Sequence, residues 1–70
     1  MTANLKAQII YNGILKKLPY SKDTTELKRR ALEISMIQVE EILKVAFYSN
    51  DEIYDFFINV KIELENLKTN

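Results

Sequence analysis

DTTELKRRALEISMIQVEEILKVAFY, residues 23–48, is the stretch whose reading decides the fold. Leu27, Ala31, Ile34, Gln38, Ile42 and Val45 recur at spacings of three and four, which places them on one stripe of an α-helix. Leu32, Met36, Val39, Leu43 and Ala46 form a second stripe, rotated from the first. A helix at the edge of a bundle needs one apolar stripe; two stripes require neighbours on two sides. No glycine or proline interrupts the stretch, so the sequence predicts one long central helix.

The start of that helix is marked by Asp23-Thr24-Thr25-Glu26, a capping box in which Asp23 accepts from the helix start and Glu26 reaches back. Ser49-Asn50-Asp51-Glu52 reads as a second capping box with Ser49 as cap, and Asp51, Glu52 and Asp55 suit the positive start of a following helix. That third helix, about residues 50–68, carries Ile53, Phe57, Val60, Leu64 and Leu67 at spacings of four, three, four and three, a coiled-coil-like seam. Phe56, Ile58 and Ile62 widen it beyond the reach of one neighbour.

Upstream, Ala7, Ile10, Tyr11, Ile14 and Leu18 fit one face of a first helix over about residues 3–18. Asn12-Gly13 between apolar residues is also a hairpin signal, but the flanking strands would be only three or four residues long and no third strand is offered. A helix is therefore predicted, with Gly13 letting another helix approach closely. Pro19 pushes Leu18 out of the α region and ends the element, leaving residues 19–22 as a short connection.

Seventy residues bury only about 60% of the unfolded surface, so a core of this size is marginal. The chain has no cysteine and no histidine, which removes disulfides and the commonest zinc ligands as reinforcement. What remains is helix packing or association. The expected fold is all-α: one domain over residues 1–70, a three-helix antiparallel bundle with a long central helix. Surplus apolar surface on the second and third helices predicts a homodimer, with the third helix and the far side of the second in the interface.

The longest apolar runs are three residues, as in Val45-Ala46-Phe47, against about 20 needed to span a bilayer. The N-terminal residues lack a basic region followed by a long apolar block. No membrane association and a cytoplasmic location are expected. The abundance of Lys, Asn, Ile, Tyr and Phe suits AT-rich codons, as in a low-GC bacterium or its phage.

The formal net charge is zero but polarised. Residues 1–30 hold seven basic against two acidic residues, a net of +5, and residues 31–70 hold three against eight, a net of −5. The two halves attract, within a chain or between chains.

Catalysis has little to work with: no imidazole base, no thiol, and a single glycine where a phosphate loop needs several. Asp51, Glu52 and Asp55 lack the alternating oxygens and central glycine of a calcium loop. No catalytic residue, cofactor-binding residue or metal ligand is assigned, and the protein is read as a non-enzyme without a cofactor. Two surfaces remain. Among the aromatic and apolar residues near the second junction, Phe47 and Phe57 read as core, while Tyr48, Tyr54, Phe56, Ile58 and Ile62 read as a partner interface. Lys16, Lys17, Lys22, Lys28, Arg29 and Arg30 gather at the other end and form a candidate phosphate-contacting patch. The expected function is a protein–protein interaction module, a small bacterial or phage regulator or inhibitor presenting a helical face to a protein partner. The alternative is a small nucleic-acid-binding regulator using the six basic residues.

Overall fold

The computed structural model of the chain describes residues 1–19 and 23–69. Three α-helices, and no strand, occur among them: α1 Ala3–Lys17, α2 Thr24–Ser49 and α3 Asp51–Thr69. The connection expected at residues 19–22 falls mostly outside the described residues, as do Tyr20 and Lys22.

Each helix start is fixed by a short polar side chain. Thr2 Oγ1 accepts from the Leu5 N–H at 3.2 Å, and Asp23 Oδ1 accepts from the N–H groups of Thr25 and Glu26, both at 3.1 Å. These oxygens satisfy donors that a helix start otherwise leaves without intrahelical partners. α1 runs straight through Asn12 and Gly13, closing its last turn on Lys16 and Lys17, and Leu18 is extended ahead of Pro19. The expectation of a close helix approach at Gly13 is overturned. A Cβ built there meets nothing within 4 Å, so the position faces open space.

The second junction also departs from expectation. α2 extends through Ser49, whose hydroxyl donates back to the Val45 carbonyl at 2.9 Å. The cap is Asn50: its side-chain Oδ1 accepts from Ile53 N–H at 3.0 Å, and its own N–H donates to the Ala46 carbonyl at 2.9 Å. One extended residue thus ends α2 and starts α3.

Chain reversal at Asn50 makes α2 and α3 an antiparallel hairpin, and Lys61 Nζ meets Glu40 Oε1 at 3.7 Å, ten or eleven residues from the turn on either side. α1 is tied to α3 by Asn4 Nδ2, which donates to Glu63 Oε2 at 3.0 Å. From that anchor α1 must run toward the start of α2. Lys17 and Thr24 are joined by a segment reaching at most about 25 Å, whereas the opposite direction would carry Lys17 toward Asn50, roughly 39 Å along α2 from Thr24.

The core is Ala7, Val39, Leu43, Val60 and Leu64, with Ala31, Ser35 and Ala46 also buried. On α2 the buried line is Ala31, Ser35, Val39, Leu43 and Ala46, taken from both predicted stripes plus Ser35. Gln38 and Val45 of the first predicted stripe are exposed. Ser35 is tolerated in this core since its hydroxyl donates to the Ala31 carbonyl at 2.7 Å. On α3, Val60 and Leu64 are fully buried, Phe57 and Leu67 are half-buried, and Ile53 is 46% exposed.

The molecule measures 41 × 20 × 18 Å. α2, at 26 residues and about 1.5 Å per residue, sets the long axis, and the 15 residues of α1 cover only part of it. The end of the hairpin near Asn50 projects past α1. No helix of the described residues is long and apolar enough to cross a membrane.

Candidate functional site

One group of exposed apolar residues lies where the hairpin outruns α1. Val45, Phe47, Tyr48 and Ile53 are all exposed, Tyr48 to 87%. Phe47 sits seven residues after Glu40, on the same helix face as that exposed carboxylate, so its placement in the core is corrected: it is 62% exposed. Its ring packs edge-to-face against Tyr48 at 5.1 Å and against Tyr54 at 5.7 Å between centroids. The edge-to-face arrangement sets the positive edge of one ring against the negative face of the next. Glu40, Leu43, Lys44, Phe47, Tyr48 and Tyr54 line a shallow hollow of about 280 Å³ on this flank.

Of the five residues read as a partner interface, Tyr48 and Ile62 are exposed, while Tyr54, Phe56 and Ile58 are half-buried and pack against the core. The structure brings Tyr48 and Tyr54 together through Phe47, which the sequence reading assigns to the core. The signal for Phe47 was its heptad equivalence with Glu40. Phe56 instead stacks edge-to-face on Phe57 at 5.3 Å.

A second hollow of about 380 Å³ lies on another flank of the same end, lined by Glu41, Ile42, Val45, Ala46, Ser49 and Ile53. A third, about 630 Å³, opens between α2 and the end of α3, with Leu32, Met36, Ile37 and Leu64 as its apolar lining and Arg29, Glu33, Glu65 and Lys68 around them.

At the basic end, Lys16 and Lys17 close α1 while Lys28, Arg29 and Arg30 lie in the second turn of α2, all exposed; Lys22 lies outside the described residues. Arg29 is engaged within its own helix. Its Nη2 and Nε meet the two carboxylate oxygens of Glu26 at 2.6 and 3.1 Å, and Nη1 meets Glu33 Oε1 at 3.0 Å. The hydrogen bond to Glu26, then the charges of Glu26 and Glu33, hold the guanidinium pKa above its ordinary value. Two carboxylates around one guanidinium offset its charge within the helix.

Among the described residues, no group of three or more acidic side chains could hold a metal ion, and every buried side-chain polar atom has a hydrogen-bond partner. Comparison of the chain with protein-family models, curated proteins and solved structures gave no match.

Proposed function

We propose that the protein is a non-enzymatic interaction module that binds another protein through the aromatic flank of the α2–α3 hairpin, as a small regulator or inhibitor would. The observation that carries this reading is the set of exposed Phe47 and Tyr48 with half-buried Tyr54, in edge-to-face contact around a concavity at the hairpin end. Tyrosine and phenylalanine supply large contact area at small entropic cost, and pre-orientation reduces that cost further. Glu40 and Lys44 at the rim supply polar contacts around an apolar centre, the usual anatomy of a protein-binding patch. The nucleic-acid reading draws on Lys16, Lys17, Lys22, Lys28 and Arg30, with Arg29 engaged by Glu26 and Glu33 of its own helix.

A photo-crosslinking amino acid at position 48, in cells of the native host, tests the reading. It should yield an adduct with a protein other than this chain, and Phe47→Asp should suppress the adduct without loss of helicity. Absence of any heterologous adduct, or an adduct indifferent to Phe47→Asp, would overturn it. Gel-shift titration with charge reversal at Lys28 and Arg30 tests the competing class.

A further inference from the structure

Helix positions seven residues apart share a face, so the seat that α1 occupies can be followed along the hairpin. Ala7 of α1 packs in one cluster with Val39 of α2 and Val60 of α3. One heptad nearer Asn50, the equivalents of Val39 and Val60 are Ala46 and Ile53. Ala46 is buried as a floor, but Ile53 is 46% exposed where Val60 is fully buried. Ile42, the heptad successor of buried Ser35, lines this second hollow together with Val45 and Ser49. The groove holding α1 therefore continues past the start of α1, with the same heptad pattern and no helix in it.

Something else in the chain matches that empty seat. The face of α1 opposite Ala7 carries Leu5 and Ile9 at a spacing of four, each 48% exposed, and Met1, just ahead of the helix, is 75% exposed. From the helix start at Ala3 to Ile9 is six residues, about 9 Å; from Ile42 to Ser49 is seven, about 10 Å. Charge matches as well. α1 holds Lys6, Lys16 and Lys17 and no acidic residue, while the seat is bordered by Glu41 and lies beside Asp51 and Glu52 in the first turn of α3.

We propose that the empty half of the groove is filled by α1 of a second copy of this chain. A two-fold axis beside the start of α1 lays two copies face to face and antiparallel, so that each α1 lies between its own hairpin and its partner's. The same contact is then made twice, which closes the assembly at two copies. The basic α1 of each copy meets the acidic hairpin end of the other, and the association weakens with added salt. This interface uses a flank other than the one bearing Phe47, Tyr48 and Tyr54, and stands independently of the function proposed for that flank.

The test is sedimentation equilibrium over a dilution series, with far-ultraviolet circular dichroism on each sample. The wild-type chain should be a dimer; Leu5→Asp with Ile9→Asp, and separately Val45→Asp, should each weaken it on the order of tenfold or more with helicity retained, since all three positions are solvent-exposed. Tyr48→Asp should leave the dimer intact. Because the chain has no cysteine, mixing Ile9→Cys and Val45→Cys proteins under oxidising conditions should give a covalent dimer with one copy of each. A monomeric wild type overturns the proposal. So does a dimer indifferent to charges at Leu5, Ile9 and Val45, or one broken as readily by Tyr48→Asp.

Discussion

Asn50 and Ile53 share a hydrogen bond, Ile53 N–H to Asn50 Oδ1 at 3.0 Å, that opens α3 one residue after α2 has ended. Asn50 also closes α2 through its own N–H to the Ala46 carbonyl. Ser49 makes neither bond; its hydroxyl turns back to the Val45 carbonyl. Asn50→Ala should therefore cost about 1 kcal/mol by removing the cap, whereas Ser49→Ala should change stability by less than about 0.5 kcal/mol. Urea titrations of the two variants check this. Equal losses, or a larger loss at Ser49, would contradict the assignment of the cap.

Gly13 lies inside α1 with nothing within 4 Å of where a Cβ would stand. The glycine thus carries the entropic cost of a flexible residue without the close packing that would offset it. Gly13→Ala should stabilise the fold by about 1 kcal/mol, which in a domain of this size raises the melting temperature by about 4–8 °C. Thermal denaturation followed by circular dichroism measures it. An unchanged or lowered melting temperature would mean that the glycine serves an approach not present here.

The helix number, their order and the long α2 were legible because period, caps and breakers agree locally. What failed were readings that depend on which side of a helix its neighbours stand. Glycine within a helix usually has a packing reason, and only the position of α1 over the hairpin shows that Gly13 faces outward. Phe47 reads as core because it is apolar, although its heptad partner Glu40 marks an exposed face. Ser49 and Asn50 are both good caps, and the choice between them rests on a back-bond that sequence does not display. The aromatic cluster near the second junction could be read as a cluster, while its geometry, Phe47 between Tyr48 and Tyr54, could not.

Ser35 is the buried polar side chain that an apolar pattern omits, and it sits between Ala31 and Val39 on the core line of α2. Its hydroxyl donates to a carbonyl that already accepts a helical N–H, so removing it orphans no acceptor. Ser35→Ala should be neutral or slightly stabilising. Ser35→Leu should cost about 1–3 kcal/mol, because the larger side chain at a fully buried site must push its neighbours apart. Chemical denaturation of the pair separates a role in size from a role in hydrogen bonding. A loss at Ser35→Ala as large as that at Ser35→Leu would assign the residue to the second.

Tyr11 is half-buried against the core, and that burial raises its phenol pKa above the ordinary value of 10.0. Burial disfavours the phenolate, so the folded state holds this proton to higher pH than the unfolded chain. Between the unfolded and folded pKa values the folded protein binds more protons. Its stability is then undiminished below pH 10 and falls as pH rises through the raised value. Tyr11→Phe removes the titration while keeping the ring. The variant should lose stability less steeply than wild type above pH 10, and the two should show parallel stability between pH 7 and pH 9. Urea midpoints of both proteins at intervals across that range measure the difference. Identical alkaline slopes would show that Tyr11 is as well hydrated in the folded protein as in the unfolded chain.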